Sequence, residues 1–202
     1  MTTYLKRTVT AVSEVMTLQE AYRHCRVDGY GESPPHEDDA LIADLIPAAR
    51  QHAENFTGRA FIASTYEQRA DYLADVLPLK VLPVRAVSSV EYVDQDGVVQ
   101  TLDPTLYVFD DNPTAPTIRR AYQAIYPATR GEVGAVRIHY TAGPTDGTSP
   151  DDDPLPRTAY QAMALILASL YEHREDTVVG TTATELPLGA AALLRPLRVS
   201  IL

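Results

Sequence analysis

The sequence predicts an α+β fold: a small helical bundle with an inserted antiparallel β-sheet domain, sandwich or barrel-like, and an extended C-terminal tail. Three observations carry this reading. Apolar residues recur at helical spacing up to Gly58, the period changes to two from Ser64, and helical spacing returns after Pro156. The resulting order of helix, helix, sheet, helix and tail differs from the strand-helix alternation of a parallel α/β chain.

Thr17-Leu18-Gln19-Glu20 opens the first helix as a capping box, in which the Thr hydroxyl and the Glu carboxylate each satisfy an unpaired first-turn amide. Leu18, Ala21, Tyr22 and Cys25 follow at helical spacing, so a short helix is predicted over 17–26. Val27-Asp28-Gly29-Tyr30-Gly31 and the Pro34-Pro35 pair stop it. A longer helix is predicted over 37–57, with Leu41, Ile42, Leu45, Ile46, Ala49, Ala53 and Phe56 on one apolar stripe and Gly58 as its C-cap. Such a helix spans about 30 Å at ~1.5 Å per residue, enough for the main strut of a small bundle. Pro47 lies inside it, where a proline removes a hydrogen bond and crowds the preceding turn. A kink over 43–47, or a break into two helices, is therefore expected.

From Thr65 to Tyr72, β-formers alternate with polar residues. The prolines of Leu77-Pro78-Leu79 and Val81-Leu82-Pro83-Val84 confine those segments to sheet edges or extended connections. Residues 87–93 and 98–102 flank Asp94-Gln95-Asp96-Gly97, a hairpin signal in which Gly97 takes the positive φ of the turn. Residues 106–109 and 133–140 complete five or six short antiparallel strands. A solvated loop with Asp151-Asp152-Asp153 leads back to helix at Pro156. Ala159, Met163, Ile166, Leu167, Leu170 and Tyr171 mark a third helix, expected to pack on the second. Residues 177–202 carry only Glu185, Arg195 and Arg198 as charges, and Pro187 and Pro196 leave room for one short helix over 189–195. So apolar a tail is either tucked onto its own core or laid against a neighbour. The segments divide into a helical part (1–62), a β domain (63–142), an acidic loop with the third helix (143–176) and the tail (177–202).

A chain of 202 residues, 45% apolar and 22% charged, suits an ordinary globular protein able to bury a core without disulfide or metal staples. Seventeen Lys and Arg against 27 Asp and Glu give a net charge of −10, which argues against tight nonspecific binding to a phosphate backbone. Lys6 and Lys80 are the only lysines, so nearly all positive charge is arginine, the side chain suited to bidentate and stacked contacts between chains. The single Cys25 permits no internal disulfide and no cysteine metal site. Lys6, Arg7 and Glu14 interrupt the opening residues, which lack the apolar core of a signal peptide, and no stretch approaches ~20 apolar residues. The expectation is a protein neither secreted nor membrane-spanning.

Signatures of chemistry are missing. His24, His36, His52, His139 and His173 form no metal-ligand spacing, and the acidic run at Asp151 lacks the alternating ligands of a calcium loop. There is no nucleophile elbow, phosphate loop or dinucleotide fingerprint. Glu172-His173-Arg174-Glu175, at a helix C-terminus, reads as a cationic end with flanking ion pairs. Twelve tyrosines against three phenylalanines suit sheet faces and interfaces.

The order of several segments carries a resemblance. These are Leu18-Gln19-Glu20-Ala21 with Cys25-Arg26-Val27-Asp28, Asp38-Asp39-Ala40-Leu41-Ile42 running into Ala48-Ala49-Arg50, and Phe56-Thr57-Gly58-Arg59-Ala60-Phe61. They continue through Leu82-Pro83-Val84-Arg85-Ala86-Val87, the Asp96-Gly97 hairpin, His139-Tyr140-Thr141-Ala142-Gly143, Leu170-Tyr171-Glu172-His173 and Glu185-Leu186-Pro187-Leu188-Gly189. Over most of its length the chain resembles the head-to-tail connector proteins of tailed bacteriophages, also called adaptor or head-completion proteins, with relatives in prophages and gene transfer agents. Pro47 and a long 29–36 insertion depart from the pattern.

The resemblance implies a structural virion protein, without enzymatic activity, metal or cofactor. It implies a dodecameric ring in the neck, assembled in the bacterial host cytoplasm, below a portal protein and receiving a tail-completion or stopper protein. Double-stranded DNA passes transiently through such a ring, and no membrane is involved. The portal or subunit interface is expected in the tail, at Val178, Val179, Leu186, Leu188, Leu193, Leu194, Arg195, Leu197, Arg198, Ile201 and Leu202. Removing that tail is expected to leave a folded monomer. The residues alone leave two other classes open: a β-sandwich metal-assisted hydrolase using Asp151 to Asp153, and a monomeric protein-binding module using the sheet face.

Overall fold

Thr17 caps the first helix as its sequence requires. In the computed structural model, which describes residues 4–10, 13–28, 31, 36–145, 154–173 and 187–199, helix α1 spans Leu18–Cys25. The Thr17 hydroxyl accepts from the Glu20 N–H at 3.2 Å, and the Glu20 carboxylate accepts from the Thr17 N–H at 2.9 Å. That backbone hydrogen bond holds the Glu20 carboxyl below the usual carboxylate range. Such a cap is worth about 1 kcal/mol. The helix ends on Arg26, which takes the left-handed conformation at φ 55° and donates its N–H to the Tyr22 carbonyl.

Helix α2, Asp39–Thr57, runs through Pro47 as one helix, so the alternative of two separate helices is not realised. Ile42 and Ile46 before the proline and Ala49 and Ala53 around the next turns are all buried in one core. Burying each isoleucine contributes about 1.5–3 kcal/mol. Together they offset the ~3 kcal/mol that an interior proline costs. Gly58 ends the helix at φ 71°, its N–H donating to the Glu54 carbonyl.

Helix α3, Arg157–Glu172, packs on α2 and buries Ala159, Met163, Ile166 and Leu167. Helix α4, Leu188–Leu194, packs on α3. The described residues divide into two units: those within 13–61 and 145–199 form this helical unit, while those within 4–10 and 62–144 form a β unit.

The β unit holds a five-stranded antiparallel sheet in the order β1 (Tyr4–Thr10), β2 (Ser64–Ala70), β8 (Val136–Ala142), β4 (Val84–Val93), β5 (Val99–Thr101). A three-stranded sheet has the order β3 (Val76–Pro78), β7 (Thr117–Arg120), β6 (Tyr107–Asp110). Neither sheet closes, so the barrel-like alternative gives way to two open antiparallel sheets. Strands β2 and β8 alternate strictly between buried and half-buried residues. Tyr66 and Tyr140 stack on the buried face with ring centroids 5.8 Å apart. Gln68 ties that face to the strand connection after β3, its amide donating to the Pro78 carbonyl at 2.8 Å and accepting from the Lys80 N–H at 3.1 Å. The hairpin forms at the predicted turn, where Gly97 has φ 86° and Asp94 accepts from the N–H groups of Asp96 and Val98.

Two strands depart from the sequence reading. Strand β1 pairs with β2, so residues 4–10 belong to the β unit although the sequence places them in the helical part. Strand β7 pairs on both sides, with β3 and β6, in a stretch to which the sequence reading assigns no strand. The described residues therefore contain eight strands against the expected five or six.

Candidate assembly interface

The described part of the tail is built into the helical unit. Helix α4 places Ala190 and Leu194, both fully buried, in the core formed with α2 and α3. Leu193 and Leu197 lie half-buried against the same core. Leu188, the first residue of α4, is 77% exposed. After α4 a 3-10 turn, Arg195–Leu197, returns the chain to the C-terminal end of α2. There Arg59 Nε donates to the Leu197 carbonyl at 2.7 Å, and the Val199 N–H donates to the Thr57 carbonyl at 2.8 Å. The Arg198 guanidinium lies 5.7 Å from the centroid of the Phe56 ring.

This geometry sorts the predicted interface residues. Leu188, Arg195 and Arg198 are exposed. Leu194 faces inward and holds its own unit together. Val178, Val179, Leu186, Ile201 and Leu202 lie outside the described residues. Removing residues 177–202 would take Ala190 and Leu194 out of the core, so a tail deletion is expected to lower the stability of the helical unit as well as to remove the interface.

A second group of exposed apolar residues, missed by the sequence reading, lies in the β unit. Tyr122, Ile125 and Val133, in the connection between β7 and β8, are 92%, 83% and 81% exposed. Tyr4 and Leu5 on β1, and Val98 and Val99 at β5, are exposed as well. The signal for the last four was their place on the outermost strands of the sheet, which requires the pairing order and not merely the sequence.

The polar clusters serve the fold. Tyr22 donates to the Asp39 carboxylate and Tyr171 to Asp38 at 2.7 Å, joining α1 and α3 to the first turn of α2. Burial and the Asp39 acceptor push the Tyr22 hydroxyl up to about 12, so it remains a donor at neutral pH. The histidines stay apart. His36 packs edge-on against Tyr22, while His139 lies 3.6 Å from Glu91 on the β4–β8 pair. Among the described residues no group of three or more His, Cys, Asp or Glu is placed to hold a metal ion, and Asp151 to Asp153 lie outside them. No helix of the described residues is long and apolar enough to cross a membrane.

Comparison with known proteins gives one consistent answer. No protein-family model and no curated protein matches the chain. Among solved structures, a chain of the neck of an empty gene transfer agent particle, computed with C6 symmetry, matches with a TM-score of 0.77 and 26% identity, over 98% of this chain and 97% of that one. A chain of the virion of a native gene transfer agent particle matches with a TM-score of 0.73 and 26% identity, over 98% and 96%. One from the neck of a native particle, computed with C12 symmetry, has the same fold, with a TM-score of 0.73 at 24% identity over 98% and 97%. Along nearly its whole length the chain thus has the fold of a structural protein of a virion neck, not of an enzyme, in agreement with the head-to-tail connector family that its segments resemble.

Proposed function

We propose that the chain is a head-to-tail connector that forms a dodecameric ring below the portal of a filled head and receives the tail-completion or stopper protein on its other side. The observation that carries this reading is the end-to-end match to a chain from a symmetric particle neck. Net charge supports the passage of DNA. With −10 per copy, acidic groups facing the lumen repel the duplex and gain nothing from counterion release, so DNA slides without sticking. Of the interface residues expected in the tail, Leu188, Arg195 and Arg198 are exposed and available for contact with portal or neighbour. Residues 178, 179, 186, 201 and 202 extend that interface in this reading.

Assembly genetics tests the role directly. A phage or prophage lacking this gene is expected to accumulate filled heads and separate tails in the host cytoplasm, and antibody against the chain is expected to label the neck of complete particles. Tailed, infectious particles at normal titre from the deletion strain would overturn the proposal.

A further inference from the structure

The connection from β7 to β8 begins with a tight turn that holds a tyrosine out from the β unit. The Ala124 N–H donates to the Ala121 carbonyl at 3.1 Å, closing the turn over Tyr122 and Gln123. Gln123 has φ 60°, the left-handed conformation that a tight turn usually gives to glycine. Arg120 secures the turn: its Nη1 donates to the Ala124 carbonyl at 2.8 Å, and Asp75 holds its Nε at 2.8 Å. The Ala121 N–H donates to the Leu106 carbonyl at 2.9 Å. So anchored, the backbone presents Tyr122, the most exposed large apolar side chain among the described residues, with Ile125 shortly after it almost as exposed. A residue with a side chain stays at positive φ only where its surroundings impose it, and such residues cluster at binding sites. A tyrosine on a held backbone is a low-entropy anchor, since only its two side-chain torsions remain to be ordered.

The other end of the same connection lines a cleft. Tyr4, Lys6, Arg69, Val133 and Gly134 surround about 240 Å³ on the β1 side of the five-stranded sheet. That volume lies below the roughly 300–1,000 Å³ of a small-molecule pocket and suits a single side chain. Its lining suits an aromatic one. Glu67 holds the Arg69 Nε at 2.6 Å, and the Arg69 guanidinium lies beside the Tyr4 ring, 5.6 Å from the centroid. A ring entering the cleft meets the Lys6 and Arg69 cations, which attract its electron-rich face, and the side chains of Tyr4 and Val133, both exposed in the single chain. Tyr122 of the same copy does not fill the cleft, because it stands in solvent. The tyrosine turn and the cleft are different patches of one chain, so a contact that joins them between copies is heterologous, the kind that closes into a ring.

We propose that Tyr122 of one copy inserts into the cleft of the next, its ring covered by Tyr4 and Val133 and faced by Lys6 and Arg69. This deepens the ring reading above and rests on it. Tyr122→Phe, Tyr122→Ala, Val133→Asp and the double variant of the last two are followed by light scattering, alone or with portal, under the condition in which the parent chain forms rings. Both side chains are exposed, so circular dichroism is expected to show the parent fold in every variant. Tyr122→Ala and Val133→Asp are each expected to raise the concentration for half-assembly about tenfold or more, as loss of an interface anchor does, and Tyr122→Phe to stay within about threefold of the parent. Once the ring is gone, the change in the cleft has little left to disturb, so the double variant is expected to assemble about as poorly as the worse single one. Rings that form unchanged in either Tyr122→Ala or Val133→Asp, single effects that multiply in the double variant, or a Tyr122→Phe variant as poor as Tyr122→Ala would each overturn the insertion and leave the ring reading standing. A parent chain that stays monomeric at every concentration, with and without portal, overturns both.

Discussion

Replacing Arg50 by Ala is expected to lower the free energy of unfolding of the helical unit by about 3–5 kcal/mol. Arg50 is only 3% exposed, in the middle of α2, yet it carries a full charge. Its guanidinium bridges two carboxylates, reaching Glu14 at 2.8 Å and 3.1 Å and Glu54 at 2.7 Å. The other oxygen of Glu54 accepts from the Phe61 N–H at 2.8 Å, which fixes the chain as it leaves α2. Removing the arginine takes the Arg50 guanidinium away from Glu54, a carboxylate itself only 7% exposed. Glu54→Gln is expected to cost less, because an amide oxygen still accepts from Phe61 and the lost charge no longer has to be compensated. Urea denaturation of the three proteins, followed by circular dichroism, checks this order. A loss below about 1 kcal/mol for Arg50→Ala would mean that the network contributes no more than a surface pair.

Gly143→Ala is the most damaging single methyl group expected in the β unit, at about 3 kcal/mol or more. Gly143 follows β8 at φ 126°, a conformation open to glycine. A Cβ built there lies 2.4 Å from the Ile62 carbonyl oxygen and 2.8 Å from the Ala63 Cα, so the obstacle is backbone and not a movable side chain. Both polar groups of the residue are also in use. Its N–H donates to the Pro83 carbonyl at 2.9 Å, and its carbonyl accepts from Arg85 Nε at 2.7 Å. Relief of the clash therefore breaks hydrogen bonds that hold the start of β4. Gly131→Ala is the control, since nothing lies within 4 Å of a Cβ there, and it is expected to stay within about 1 kcal/mol of the parent. Equal stability of the two variants in thermal and chemical melts would contradict the account.

Elements with one buried face were legible in the sequence. The α2 stripe, the α3 stripe, the alternation of β2 and the Asp94–Gly97 hairpin each show their period because water lies on one side and the core on the other. Strand β1 shows none of it. Over residues 4–8, where Tyr4, Leu5, Lys6 and Thr8 are exposed and Arg7 half-buried, no buried face imposes alternation, and only pairing with β2 reveals the strand. Strand β7 is masked by Arg119 and Arg120, which follow the buried Ile118 at the end of a short strand. Arg50 and Glu54 were invisible for a related reason. A stripe counted by apolar residues passes over a buried ion pair, although the two sit an i,i+4 step apart on the face that also buries Ala49 and Ala53.

For the candidate interface, composition marked the tail as a segment needing cover, and residues 187–199 find part of that cover in their own unit. Which leucines turn outward was not legible, because a seven-residue helix gives too few turns to define a face. Leu188 and Leu194 are alike in composition and opposite in exposure. The family resemblance rested on segment order, not on chemistry, and the match along the whole chain is what gives it structural meaning.

Whether the chain closes into a ring is decided by the mass of the purified chain across a concentration series, read by light scattering with negative-stain images of the same fractions alone and mixed with portal. Rings of a single closed symmetry are expected in at least one of the two samples. A strict monomer in both, at every concentration, would contradict ring closure.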